Sequence, residues 1–400
     1  MTLSRLSRIG RTLGCMLAGA VLLMATPAVA PAQTGFETRA TAAYVVDLGT
    51  GTVLLDKASN VPLPPASMSK LMTLVMLFEA IEDERMSLDT PFTVSQRAHR
   101  MGGSRMFLEP TDRPTAEELI RGVAVLSGND AAVVIAEGLA GTEEAFATMA
   151  TRRARDLGMD NTTIANASGW PDPRHRMSMR DLVILARHII EDYPQYYPYL
   201  AERSYTWNNI TQANRVPLLD AGVGLDGLKT GFTSEAGYSL TGSALQGDRR
   251  IVFAFSGLEN EAHRPEEAER IINWAFRQFA EVTVAREGAR MAEAEVWLGE
   301  AARVPLVLAQ DMRALIPVIA QRDLQAEVVY DAPVPAPVAA GQVLAELVVT
   351  VPEMGELRAP LVAGSDVAAG GFLVRLQGAA QVLLREMRAR SAADGEEAGS

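Results

Sequence analysis

A chain of 400 residues, 48% hydrophobic and 22% charged, can fill two compact domains, since single cores stop growing near roughly 250–300 residues. Its net charge of −12, with no Lys/Arg cluster beyond the first residues to offset it, argues against a nucleic-acid partner. The four histidines, His99, His175, His188 and His263, lack ligand-like spacing, so neither a metal nor another cofactor is expected.

The N-terminus carries Arg5, Arg8 and Arg11, then the apolar run LGCMLAGAVLLMA, then TPAVAPAQT with its small-residue pattern. This reads as a secretory signal over residues 1–32, cleaved after Ala32, because Pro31 disfavours cleavage after Ala30. The apolar run is shorter than the roughly 20 residues of a membrane span. Cys15 is the sole cysteine and lies inside the signal. The mature chain therefore has no thiol, which suits a bacterial periplasmic protein without disulfides.

AAYVVDLGTGTVLLDK predicts a hairpin turning at Leu48–Gly51. PLPPASMSKLMTL then starts a helix at its prolines that runs to about Ile81 and is apolar on almost every side. Further helices are expected after Thr115, which with Glu118 forms a capping box, after Asn129, over GTEEAFATMATRRARDLGM, and after Ser178, paired with Asp181. GLDGLKTGFT, GYSLTGSALQG and RRIVFAFSG are strand-like, and HRPEEAERIINWAFRQFA is helical. Strands at both ends with helices between predict an α/β domain over 38–280 whose sheet is closed by its first and last segments. From about Phe279 short apolar runs broken by Gly and Pro predict an all-β module over 281–371. Residues 372–390 read as an amphipathic helix with Leu373, Leu376, Ala380, Leu383, Leu384 and Met387 on one stripe. The acidic tail 391–400 is expected to be disordered.

Three stretches carry chemistry. Lys70 lies three residues after Ser67, on the same helical face, in an apolar setting that pushes the amine toward its neutral, proton-accepting form. The helix N-terminus also places the Ser67 N–H where an oxyanion would form. A pair of simple helix caps, Ser67 and Ser69, would explain the same residues. Ser127-Gly128-Asn129 could line a cleft wall, Asn129 holding an amide and Ser127 relaying a proton, or could be only a turn between helices. Lys229, Thr230 and Gly231 could receive a carboxylate, with the Phe232 N–H completing an oxyanion hole, or form an exposed strand bulged at Gly231.

Taken together, PPASMSKLMT, the Ser-Gly-Asn-Asp stretch and DGLKTGFTSEAGYSL resemble the three motifs of the serine-type D-alanyl-D-alanine carboxypeptidases, low-molecular-mass penicillin-binding proteins. GSRMFLEP, LGMDNTTIANASGW and RPEEAERIINWAF extend the likeness over roughly residues 40 to 280. The resemblance implies a penicillin-recognising serine transpeptidase/β-lactamase-like α/β fold, an antiparallel sheet with a helical cluster, followed by the small β domain and amphipathic helix. It implies Ser67 as nucleophile, Lys70 as its base, Ser127 as proton relay, Asn129 as substrate holder, and Lys229 with Thr230 for the terminal carboxylate, next to Gly231 and Phe232. Its implied partners are peptidoglycan stem peptides, β-lactam inhibitors and, through the last helix, the outer face of the inner membrane; the oligomeric state stays open. Two departures stand out: Phe232 replaces a frequent histidine, and the loop Pro171-Asp172-Pro173 is unusual. Arg215 and Arg264 fall near cleft arginines of the family, or form structural ion pairs. A class A β-lactamase would need a glutamate after the second motif, and MDNTTIANASG has none. A DD-endopeptidase and a penicillin sensor without turnover remain as alternatives, and the last helix could dock on the β module instead of the membrane.

Overall fold

The computed structural model describes residues 36–320, 323–352 and 354–372 together with Val374 and Leu376. The expected signal, the tail and all but the first residues of the amphipathic helix lie outside them. Five strands build the central sheet: β1 (Ala42–Asp47), β2 (Val53–Lys57), β3 (Leu225–Thr233), β4 (Gly237–Gln246) and β5 (Arg249–Leu258). Their order is β2-β1-β5-β4-β3, antiparallel throughout, so the first and last segments meet at β1–β5 and β3 is left at an edge. This is the closure expected from the strand positions in the chain.

Strand periodicity gives the sheet two buried faces. Ala42, Tyr44 and Val46 of β1 face the large core to which the longer helices α1 (Lys70–Glu82), α2 (Ala116–Ala124), α3 (Asn129–Ala140), α4 (Glu143–Asp156) and α5 (Met179–Asp192) contribute. Ala43 and Val45 face the opposite core, where α6 (His263–Gln278) contributes Ala268, Ile271, Ile272 and Ala275. The central helix α1 is buried at ten positions from Lys70 to Ala80, which explains its all-round apolar sequence.

Local details refine the expectations. The segment after the prolines is not α-helical from its start: Ala66–Ser69 is a 3-10 turn, and α1 begins only at Lys70. Thr115 and Glu118 form the reciprocal capping box. At α5 the cap is one-sided, because Ser178 accepts from the Asp181 N–H while the Asp181 carboxylate turns away to accept from Asn161 N and Thr162 Oγ1. A short hairpin, Ser204–Trp207 with Ile210–Ala213, was not anticipated; its polar, half-exposed residues carry little apolar alternation.

Beyond α6 the described chain is β-rich. The pair β6 (Phe279–Ala285) and β9 (Met312–Pro317) packs Ala314, Leu315 and Ile316 against α6. Strands β7 (Arg290–Trp297), β8 (Arg303–Leu308), β10 (Gln325–Val329), β11 (Val334–Pro335), β12 (Val343–Val351) and β13 (Gly355–Ala363) form a six-stranded sheet ordered β10-β12-β13-β8-β7-β11. Its separate core is built on Leu306, Leu347, Val349 and Leu361.

Phe78 anchors α1: it is fully buried and stacks on Tyr196 with ring centroids 4.6 Å apart. Phe78→Ala is expected to cost about 3–5 kcal/mol of unfolding free energy, read from denaturant midpoints; a loss under about 1 kcal/mol would contradict this packing role.

Candidate active site

The first motif sits where α1 begins. In a 3-10 turn residues i and i+3 eclipse, so the turn at Ala66–Ser69 brings Ser67 and Lys70 together more closely than an α-helical start would. Lys70 Nζ is 2.9 Å from Ser67 Oγ, 2.7 Å from Asn129 Oδ1 and 2.5 Å from the Ser168 carbonyl oxygen. The side chain is wholly buried. Burial first, then the nearby positive charge of Lys229, holds its pKa well below that of a free lysine, while Asp130 pulls weakly the other way. Ala66 adopts φ +51°, a left-handed conformation costly for a residue with a Cβ. Opposite it, Gly169 comes so close that a Cβ would lie 1.9 Å from the Ala66 carbonyl oxygen, so only glycine allows Ser168 to reach Lys70.

The second motif joins α2 to α3. Ser127 is left-handed at φ +60° and nearly buried. Asn129 opens α3, its Oδ1 on Lys70 and its Nδ2 donating to the Gly102 carbonyl at 2.7 Å. Asp130, beside it at the positive end of α3, accepts from the N–H groups of Met106, Phe107 and Leu108. That fixes the 104–108 loop against the site.

The third motif lies on the edge strand β3. Gly231 is tight but not bulged: the register irregularity of β3 falls between Leu225 and Gly227. A Cβ at Gly231 would stand 2.5 Å from Ser239 Oγ and 2.9 Å from the Pro65 carbonyl oxygen, so glycine lets the strand approach the Ser67 turn. Lys229 is buried, and burial followed by the charges of Arg215 and Arg264 lowers its pKa to about 7. Arg264 donates from Nη2 to the Gly231 carbonyl at 3.3 Å and lies 5.1 Å from the Tyr238 ring centroid. Burial lowers its pKa as well.

Ser67, Ser127, Asn129, Thr230, Gly231 and Phe232 line one cleft of about 650 Å³. Lys70 lies beneath its wall, bonded to Ser67 and Asn129. Arg215 and Arg264 line the cleft too, so both sit with the site; Arg264 also approaches Glu261 at 3.7 Å. Sequence reading missed the Ser168 carbonyl, the Asp130 carboxylate and the Trp170 ring. The first is a backbone group with no sequence signature; Trp170, next to an unusual Pro-Asp-Pro loop, did offer a signal. Among the described residues no group of three or more His, Cys, Asp or Glu could hold a metal ion.

This fold, an antiparallel sheet with a helical cluster and a following β module, is that of the penicillin-recognising serine peptidases. Residues 26–257 match the D-alanyl-D-alanine carboxypeptidase family and residues 279–369 the penicillin-binding protein 5 C-terminal domain. The chain belongs to the D-alanyl-D-alanine carboxypeptidase family. It is 34% identical over 340 residues to the D-alanyl-D-alanine carboxypeptidase DacD of Salmonella typhimurium, covering 83% of this chain and 87% of the relative. Penicillin binding protein 5 from Haemophilus influenzae superposes with a TM-score of 0.71 at 30% identity, over 83% of this chain and 99% of that one. Penicillin-binding protein D2 from Listeria monocytogenes, in its ampicillin-bound form, gives 0.56 at 27% identity, over 60% and 98%.

Behind the loop that carries Ser168, buried His175 accepts from the Ala165 N–H at 3.1 Å through Nδ1. Burial lowers its pKa to about 4. A base depressed in the folded state makes stability fall as pH drops from its unfolded value near 6.5 toward about 4, by up to about 3 kcal/mol. His175→Asn, which keeps an acceptor, is expected to flatten that fall in urea unfolding between pH 7 and pH 4; equal slopes for both proteins would exclude His175 as the cause.

Proposed function

We propose that this protein is a serine D-Ala-D-Ala carboxypeptidase that removes the terminal D-alanine from peptidoglycan stem pentapeptides through an acyl-enzyme on Ser67. The observation that carries the reading is the wholly buried Lys70 amine 2.9 Å from Ser67 Oγ. Asn129 Oδ1 and the Ser168 carbonyl can only accept hydrogen bonds. They take the two N–H groups of a neutral Lys70 and leave its lone pair for the Ser67 hydroxyl. Lys70 then removes that proton as Oγ attacks the carbonyl between the last two D-alanines. The backbone N–H groups of Ser67 and Phe232 stabilise the oxyanion. Ser127 relays the proton to the departing D-alanine amine, Asn129 holds the substrate amide, and Lys229 with Thr230, flanked by Gly231, binds the terminal carboxylate. Water then hydrolyses the ester and regenerates Ser67.

β-Lactams are read as inhibitors that acylate Ser67 and leave slowly, since among the described residues the carboxylate that lines the cleft is Glu261, which lies 3.7 Å from Arg264. In this reading residues 1–32 are an export signal, 38–280 the catalytic domain, 281–371 the β domain, 372–390 the amphipathic helix and 391–400 the acidic tail. The protein works in the periplasm, peripheral on the outer face of the inner membrane. Export is supported by the charged and apolar N-terminus, and peripheral binding by the exposed Phe372 and Leu376 at the start of the last helix. Among the described residues no helix is long and apolar enough to cross a membrane.

Release of D-alanine from a peptide ending in D-Ala-D-Ala tests the activity. Ser67→Ala is expected to lose at least about a thousandfold in kcat/KM; a variant as active as the parent would remove Ser67 from the mechanism. The ammonium form of Lys229 pairs with carboxylate and is lost as pH rises through about 7, so kcat/KM is expected to fall above that pH through a rising KM. Lys229→Arg, which does not titrate there, should be less active but lose this alkaline fall; an unchanged profile assigns the fall to another group. For the last helix, cell fractionation of the full chain against one ending at Gly371 is expected to move the protein from membrane to soluble fractions, and equal solubility rejects the anchor.

A further inference from the structure

Two large aromatic rings in the cleft are left uncovered: Trp170 is 47% and Phe232 53% exposed, and both line the cleft that holds Ser67. Neither is loosely held. The Trp170 N–H donates to Asn166 Oδ1 at 3.0 Å, its carbonyl accepts from Asn166 Nδ2 at 2.9 Å, and its ring lies over Gly102 and Gly103, 3.4 Å from where a Cβ would stand at either. Phe232 lies on Tyr238 with centroids 4.3 Å apart. Rings fixed before binding bury a ligand at little entropic cost.

The carboxylates around them are already paired. Asp172 meets Arg174 at 2.8 Å, Glu235 meets Arg176 at 3.0 Å and Glu261 approaches Arg264 at 3.7 Å. What the two rings present is therefore apolar surface rather than charge. Thr230 and Phe232 fall on the same side of β3, roughly 7 Å apart along it. With a carboxylate at Lys229 and Thr230, the acyl part of a ligand extends along the strand toward Phe232.

We infer that Trp170 and Phe232 form a subsite for a flat apolar substituent on the acyl side of the scissile bond. The inference rests on the carboxypeptidase reading, and the substituent belongs either to the stem peptide or to a β-lactam side chain. Acylation rate constants would be measured for benzylpenicillin against 6-aminopenicillanic acid, and kcat/KM for phenylacetyl-D-Ala-D-Ala against acetyl-D-Ala-D-Ala. The intact protein should prefer the aromatic member by about threefold to tenfold, the range of an aromatic pair. Trp170→Ala and Phe232→Ala should each lower that ratio, and Trp170→Phe should restore part of it. Preference in the penicillin pair alone assigns the subsite to the antibiotic side chain; in the dipeptide pair, to substrate. An active but unselective protein, or variants with an unchanged ratio, overturns the subsite. No reaction with any of the four compounds overturns the carboxypeptidase reading and the subsite with it.

Discussion

The desolvated amine of Lys70 is the constraint around which the catalytic domain is arranged. A lysine taken fully out of water is pushed toward its neutral amine, and its nitrogen still needs hydrogen-bond partners. Three separate segments supply them: the Ser67 turn, the first residue of α3 and the loop ending at Gly169. Two of these segments are in turn held by buried polar groups. Asp130 ties the 106–108 backbone to α3. Thr73 and Glu143 bond the carbonyl and N–H of Ala167, next to Ser168. Displacing any one of them would leave the buried amine short of a partner.

The sheet and helices serve this arrangement by fixing distances. α1 is buried on all sides, so its N-terminal turn is placed from the core outward rather than by surface contacts. β3 reaches that turn from the sheet edge, and close contact between the two is possible because Gly231 has no side chain. The second buried amine, Lys229, is thereby brought near enough to Lys70 to help lower its pKa, while its own depression comes mainly from burial and then from Arg215 and Arg264. An acidic protein thus gathers the basic side chains of Lys229, Arg215 and Arg264 around one cleft.

Much of this was legible along the chain. The helix after the prolines, the capped starts of α2 and α5, the three strands β3 to β5 and the β-rich texture after Phe279 all follow from periodicity and turn chemistry, because burial of one face leaves its mark on the residue pattern. The hairpin at 204–213 left no such mark, since none of its strand residues is buried. The 3-10 geometry of Ala66–Ser69 was equally invisible: the turn lies against Gly169 and β3, and those distant contacts leave no local pattern.

The sequence by itself determined which chemical groups exist and roughly where they start: a serine and lysine three apart, a Ser-Gly-Asn turn, a Lys-Thr-Gly strand, and the family these motifs resemble. Only the tertiary structure decided that the three meet in one cleft and that the Lys70 amine is satisfied by a backbone carbonyl. It also decided that Arg215 and Arg264 belong to the cleft and that Trp170 and Phe232 stand uncovered beside it. Those outcomes depend on contacts between segments up to about a hundred or more residues apart, and on burial, which no short stretch of sequence encodes.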